Sequence, residues 1–463
     1  MNTNLAKNTV LLSIGNFLTK GINLMMIPLF SSWLTTEDYG TFDLYCTYVA
    51  LLIPFISLSS SDAIFRFSVE KKAKEDKAIY ITSGLLINIV IGSLVTILLC
   101  LFSWLTNWHL FFPFILLLWG ELGNVHLQGF LRAIKRLDVF SIASVINTII
   151  IAVMVTVFII EFELGLEGIL FGYACGFFVS NVIIILMTGY VSYIDIGKID
   201  KQTITEMNKY AAPLIPNNIC WWIINVSDRT IINTFLGAAA NGIYAIAYKI
   251  PNFCASVFNS FNISWQETAV EIIYSKERDE YLNNLYNTTI STMISFCCCI
   301  LAVNFILFEY IFDERYYEAY LYSPILTTSI ILNSLVQFFG GIQIGLRRTK
   351  ENGISTFLGA ISNVVVNLIL IGKIGIYAAA ISTLFANILI CVIRYFRLRR
   401  DFVFTIKANV RCHLFFYIYM FISCYVAGLI LTLINLLLSL VFFFYINKNY
   451  INKVVNRIYI LIR

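Results

Sequence analysis

Five ionisable side chains sit in stretches that are otherwise apolar: Lys20, Glu121, Asp228, Arg229 and Lys249. A charge at the centre of a hydrocarbon core costs roughly 2.5 to 3.5 kcal/mol on insertion scales, so each one demands a chemical reason. Three of the five are cations. A guanidinium offers a fork of donors and an ammonium a point charge, and both suit phosphate oxygens that have lost their water. The two carboxylates suit another task, which is to take up and release a proton or small cation, or to neutralise a neighbouring cation. Three further groups, Asp62, Arg66 and Glu267, fall at the edges of such stretches.

The elements that hold these residues follow from composition. Of 463 residues, 59% are hydrophobic and 13% charged, against roughly 25% charged in a soluble domain, and the mean hydropathy is +0.81. Apolar runs of about 20 residues, each long enough to cross a bilayer as a helix, recur along the whole chain. They fall near 8–33, 40–61, 78–104, 110–131, 139–160 and 166–192, then near 210–235, 242–264, 285–309, 321–345, 352–371 and 375–394. The apolar tail from His413 to Ile446 has the length of a tight hairpin of two more. The expected fold class is therefore all-α: a polytopic membrane protein of 12–14 spans. Its expected domains are an N-terminal six-helix bundle (1–200), a C-terminal six-helix bundle (201–400), and a helical hairpin with a tail (401–463). One Lys and no A-x-A site precede the first apolar run, which reads as an uncleaved first span.

Charge placement tests that layout, because alternate loops of a membrane protein differ sharply in Lys and Arg. About 27 of the 32 basic residues fall in one alternate set of loops, at Lys7, Arg66 to Lys77, Arg132 to Arg136, Lys198 to Lys209, Lys276 and Arg278, Arg347 to Lys350, Arg394 to Arg411, and beyond Asn447. The other set holds only Arg315 and Lys373. Both termini are expected on the cytoplasmic side, with an even number of spans. Such scattered clusters are topology signals and not the basic stripe of a nucleic-acid-binding face.

The two six-span groups also repeat one another at a shift of about 200 residues. LTTEDYGTF from Leu34 matches LGAAANGIY from Leu236, Pro113 and Pro324 open equivalent spans, the Arg132 and Lys135 loop matches Arg347 and Lys350, and GLEGI from Gly165 matches GKIGI from Gly372. Groups with an even number of spans insert in the same sense, giving parallel repeats about an axis along the membrane normal, with a cavity expected between the halves. All seven prolines, Pro213 among them, lie in or beside spans, where they mark bends or sit as ordinary membrane-helix prolines.

No catalytic apparatus is legible. The chain has no P-loop, H-E-x-x-H, G-x-S-x-G or nucleotide-binding glycine pattern, and its outer loops are short. Its three histidines and eleven cysteines, with no C-x-x-C, suggest neither a metal nor a disulfide framework, and no cofactor is expected. Trp33, Trp104, Trp108 and Trp265 read as interfacial anchors, whereas Trp221 and Trp222 lie deeper, where a ring can stack on a sugar.

In the segment from Pro213 to Asn252, the run W-x-x-x-x-S-D-R-x-I-I-x-x-F-L-G and the run GIYAIAYKIPN resemble the Wzx-type O-antigen and polysaccharide flippases, and the opening IGNFLTKGINLMMIPLFSSWLTTEDYGTF is similarly typical. The resemblance covers nearly the whole chain in span order. It implies membership of the multidrug, oligosaccharidyl-lipid and polysaccharide exporter superfamily, with MATE-like paired six-helix bundles. It also implies transport of an undecaprenyl-pyrophosphate-linked oligosaccharide across a bacterial inner membrane by alternating access through a cationic cavity. The polysaccharide polymerase and chain-length regulator would be partners alongside membrane lipids, with no nucleic acid involved.

On that reading Lys20, Arg229 and Lys249 meet the pyrophosphate, with Asp228, Arg66 and Trp222 as further substrate contacts. Glu121, Asp62 and Glu267 are the candidates for coupling to H+ or Na+, since no ATP-binding motif is present. Other roles stay open: Arg229 can pair with Asp228, Lys249 can snorkel to an interface, and Arg66 can bridge to Asp62. Two rival functions remain. A drug exporter of the same superfamily would call for an acidic cavity, and a membrane glycan polymerase or ligase, an enzyme, would call for a large outer loop.

Overall fold

The computed structural model describes the backbone of residues 3–462 except 69, 70, 72, 213 and 427. It describes side chains from 15 to 448, except at those five positions and at 16, 17, 24, 137, 214, 217, 225, 257, 260, 263, 264, 267, 270 and 271. Pro213 and the side chain of Glu267 thus lie outside the described residues.

The chain divides into two compact units, Met1–Trp222 and Ile223–Arg463. The first holds α1 (Thr3–Trp33), α2 (Thr36–Ser57), α3 (Ser60–Ser68), α4 (Lys74–Thr106), α5 (Phe111–Ala133), α6 (Leu137–Ile160), α7 (Gly165–Thr188) and α8 (Lys201–Ala211). Helix α9 (Leu214–Leu236) runs through the boundary. The second unit continues with α10 (Ala238–Ile272), α11 (Arg278–Ile306), α12 (Ala319–Gly345), α13 (Thr349–Ile374), α14 (Tyr377–Leu398), α15 (Ala408–Cys424) and α16 (Leu429–Ile462). Setting aside the short α3 and α8, fourteen helices remain among the described residues, and they correspond one to one with the twelve apolar runs and the terminal hairpin.

Nine of them are long and apolar enough to cross a membrane by length and composition alone; α5, α9 and α10, which carry Glu121, Asp228 with Arg229, and Lys249, are not among the nine. The outward faces are lipid-compatible. Leu94, Ile97, Leu98 and Leu101 on α4 are each more than half exposed, a stripe that water would not tolerate on a stable monomer. Trp33 and Trp104 are exposed as interfacial anchors should be, but Trp265 is not: it is 2% exposed and stacks on Phe338 at 5.1 Å. Its indole N–H donates to the Phe338 carbonyl at 2.9 Å, which removes the reason for a Trp to seek the interface.

Local chemistry fixes the helix ends. Thr35 caps α2, accepting from the Asp38 amide at 3.0 Å while its hydroxyl donates to the Asp38 carboxylate at 2.7 Å. The run expected at 40–61 is broken, because Leu58 and Ser59 both adopt left-handed backbone (φ 47° and 52°) and turn the chain into α3. At the α5–α6 corner Lys135 has φ 60°, with the Arg136 amide donating to the Leu131 carbonyl at 3.0 Å and the Lys135 amide to Arg132 at 3.2 Å. At the α12–α13 corner Arg347 has φ 61°, with Arg348 donating to Gln343 at 2.8 Å and Arg347 to Ile344 at 2.9 Å. This six-to-one closure of a helix end recurs at the repeat-equivalent place in each unit. It pairs Lys135 with Arg347, three residues away from the register read in the sequence.

In each unit the last two helices of the repeat pack on one another, α6 on α7 and α13 on α14, while α5 packs on α7 as α12 packs on α14. Small residues permit the approach. A Cβ on Gly172 would collide with Val155, and one on Gly176 with Ile151. Helix α8 lies along the first unit, tucking Met207 and Ala211 into a core shared with Ile64 of α3, Phe130 of α5 and Ile184 of α7.

Candidate functional site

Asp228 sits in the second turn of α9 beyond the unit boundary and is 1% exposed. Four donors surround its carboxylate. Oδ1 accepts from the Asn367 amide at 2.9 Å and the Ser382 hydroxyl at 3.5 Å, and Oδ2 from the Tyr244 hydroxyl at 2.9 Å and the Thr383 hydroxyl at 2.5 Å. The donors come from α10, α13 and α14, so one carboxylate ties α9 to three helices. Helical spacing builds the rest of the seam. Asn363 lies one turn before Asn367, accepts from Ser227 at 3.3 Å and donates to Thr383 at 3.3 Å. Buried carboxylates need this saturation, because each unmet lone pair in a low-dielectric site is costly.

Arg229 is half-buried on the next face of α9, with its guanidinium carbon 5.3 Å from the centroid of the Tyr248 ring. Tyr248 stacks on Tyr244 at 6.3 Å one turn away on α10. Tyr244 and Tyr248 thus meet the adjacent pair 228–229, Asp228 facing inward to Tyr244 and Arg229 lying over the Tyr248 ring, an aromatic face that favours a cation. Lys249 is partly buried in α10, and its ammonium has no hydrogen bond or ion pair with a described residue. Lys20, on α1 of the other unit, is exposed.

In the first unit Arg66 is exposed near the end of α3. Asp62 pairs with Arg132 at 3.3 Å rather than standing alone, and that guanidinium lies 4.3 Å over the Phe65 ring. Trp222 donates its indole N–H to the Thr47 carbonyl of α2 at 3.1 Å. Glu121 is partly buried in α5, and its carboxylate has no partner among the described residues.

Two features escaped the reading of charges. In α5 the Gln128 amide donates to Asn124 Oδ1 at 2.6 Å, Asn124 donates to Asn181 Oδ1 at 3.2 Å, and Asn181 donates to the Gly120 carbonyl at 2.9 Å. In α12 the Gln337 amide donates to Asn333 at 2.7 Å, Asn333 to Asn387 at 3.2 Å, and Asn387 to Ser329 at 2.8 Å. The two relays are the same device repeated about 209 residues apart, an N-x-x-x-Q pair on one helix reading an asparagine on the partner helix. The shared spacing within apolar runs was the signal.

The second feature is Arg394, assigned with its neighbours to a basic loop. It lies instead inside α14 at 1% exposure. Among the described residues, neutral acceptors alone receive its guanidinium: Ser355 at 2.9 Å, the Val336 carbonyl at 2.6 Å, Thr356 at 2.9 Å and Asn352. A bare Gly340 makes room, since a Cβ there would come within 2.6 Å of the guanidinium.

Among solved structures the fold is similar to "Lipid II flippase MurJ, inward closed conformation", at 15% identity and TM-score 0.69 over 96% of this chain and 100% of that one. It is also similar to "Inward-facing conformation of a multidrug resistance MATE family transporter of the MOP superfamily", at 15% identity and TM-score 0.64 over 84% of this chain and 95% of that one. A third likeness is to "Crystal structure of MATE in the bent conformation", at 15% identity and TM-score 0.57 over 89% and 97%. No curated protein matches the sequence. The family described as "Polysaccharide biosynthesis protein" matches residues 5–265 and 270–443. The resemblance carried by the SDR and GIYAIAYKIPN segments therefore holds, and this all-helical membrane chain belongs to the polysaccharide biosynthesis protein family.

Proposed function

We propose that the chain is a flippase that carries undecaprenyl-pyrophosphate-linked oligosaccharide repeat units from the cytoplasmic to the periplasmic leaflet of a bacterial inner membrane, for O-antigen or capsule assembly. Both its termini lie in the cytoplasm. Family membership supports a role in polysaccharide biosynthesis, and the shared fold of a protein described as a lipid II flippase supports a lipid-linked cargo. The observation that carries the reading is Lys249, an ammonium within a 35-residue helix that no described residue neutralises. A partly buried cation with donors to spare is what a dehydrating pyrophosphate requires, and a drug cation would be repelled by it.

On this reading Arg229 and Lys249 bind the anionic headgroup, with Lys20 as the corresponding charge of the first unit. Asp228 positions α9 through its four donors and does not touch cargo. Glu121, a carboxylate on α5 with no partner among the described residues, carries the coupling H+ or Na+. Lys249→Ala and Arg229→Ala should each abolish surface polysaccharide in complementation, with lipid-linked intermediate accumulating on the cytoplasmic side, while Lys249→Arg keeps partial function. Full polysaccharide from Lys249→Ala at normal expression would remove the cationic headgroup site.

A further inference from the structure

Helices α11, α15 and α16 of the second unit enclose a polar pocket of about 380 Å3, within the range of small-ligand sites. Its lining holds amides, hydroxyls, one lysine and one histidine, and no carboxylate. Lys407, the residue that opens α15, sends its Nζ to Asn284 Oδ1 at 2.7 Å, and its backbone amide donates to Asn287 Oδ1 at 2.9 Å. No side chain caps the start of α15, so the first free N–H groups of a 17-residue helix lie at the pocket wall beside Asn409. His413, one turn further, is 8% exposed. Its Nδ1 meets Ser291 Oγ at 3.0 Å, while Nε2 has no partner among the described residues.

A fixed ammonium, uncapped amides and a buried imidazole with one nitrogen unmet among the described residues all favour an anion, and no carboxylate lines the pocket. The pocket opens where α11 and α15 begin, beside the mixed-charge stretch from Lys276 to Glu280 and the basic stretch from Arg397 to Arg411. Cations on that face attract anionic headgroups. Below it, α15 presents Phe415 and Ile422 outward, at 73% and 59% exposure, and α16 presents Leu437 and Val441. A phosphate in the pocket would therefore leave acyl chains lying on an apolar surface.

The geometry points to a binding site for the phosphate of an anionic glycerophospholipid in this pocket, held by Lys407, His413 and the start of α15. The site is separate from Arg229 and Lys249, and it binds a resident lipid rather than cargo. The test uses the full chain in detergent, titrated with phosphatidylglycerol, phosphatidylcholine or inorganic phosphate, with bound lipid counted by native mass spectrometry. Phosphatidylglycerol should bind in preference to phosphatidylcholine. Lys407→Gln and His413→Gln should each weaken it about tenfold, the worth of one charge-assisted hydrogen bond. Lys407→Arg should retain binding, which controls for misfolding, and so should Arg411→Gln, which removes an exposed neighbouring charge outside the lining. Binding indifferent to Lys407→Gln, or equal for both lipids, overturns the site. Inorganic phosphate binding as tightly as phosphatidylglycerol overturns the lipid assignment.

Discussion

Replacing Asp228 separates an anchoring carboxylate from a merely charged one. In Asp228→Ala four donors on α10, α13 and α14 lose their acceptor at once. At about 0.6 kcal/mol for an average hydrogen bond in a membrane protein, the four sum to about 2 kcal/mol. A second estimate counts orphans. Ser382 already donates to the Ala379 carbonyl at 2.9 Å, and Thr383 can turn to a helix carbonyl, which leaves the Tyr244 hydroxyl and the Asn367 amide stranded at about 1 to 3 kcal/mol each. The two routes meet at about 2 kcal/mol.

Asp228→Asn should be far milder. The introduced amide keeps an oxygen for Tyr244 and Thr383, and its nitrogen faces Asn367, whose buried Oδ1 has no partner among the described residues and becomes an acceptor if that side chain turns over. The expected cost is under about 1 kcal/mol. The assay is thermal unfolding of the purified chain followed with a thiol-reactive dye, since Cys297 and Cys298 are fully buried free thiols that react only once the bundle opens. The alanine variant should melt well below the asparagine variant. Equal shifts for the two would refute the anchoring argument and leave the charge itself as the stabilising element.

Gly129→Val should destabilise the first unit more than an ordinary helix substitution, because a Cβ at Gly129 would stand 2.8 Å from the Ser61 Cα and carbonyl oxygen, both backbone atoms that cannot swing aside; the same dye assay would show it, and an unchanged melting temperature would mean that α3 is free to move off α5. On the loop between α11 and α12 the hydrogen bond from Arg315 holds the Asp313 carboxyl below its usual range. Its contribution is complete above the unfolded carboxyl value of about 4 and is lost as pH falls through the lower folded value. A pH series of melting curves should therefore lose a small increment only at the acid end, and Asp313→Asn should flatten that part of the curve.

The helices were legible because lipid imposes a coarse rule, about 20 apolar residues for each crossing, and the alternation of basic loops kept the count honest. The break between α2 and α3 was not, since Leu58 and Ser59 carry no glycine or proline to announce a left-handed turn. Helix α8 has the right period for an amphipathic helix, but its 11 residues carry Lys201, Glu206 and Lys209, a pattern that a basic loop shares. At the site, attention to full charges found Asp228, Arg229 and Lys249, because charges are the costliest residues to bury. It passed over the Asn124–Gln128 and Asn333–Gln337 relays, whose uncharged amides are cheaper and more numerous. Arg394 misled for the opposite reason. Its neighbours Arg397, Arg399 and Arg400 make a basic cluster in sequence, and only the packing of α12 and α13 around it reveals which member points inward.

The two corners at Lys135 and Arg347 have a bearing on how the chain enters its membrane. Glycine would relieve about 1 kcal/mol of backbone strain at either position. A lysine or arginine near an anionic leaflet contributes a gain of about the same size, about 1 kcal/mol. On the proposed topology each corner thus serves both as a turn and as an orientation mark, and engineering either to glycine for a steadier turn would remove a charge that favours threading of the adjoining pair of helices in that sense.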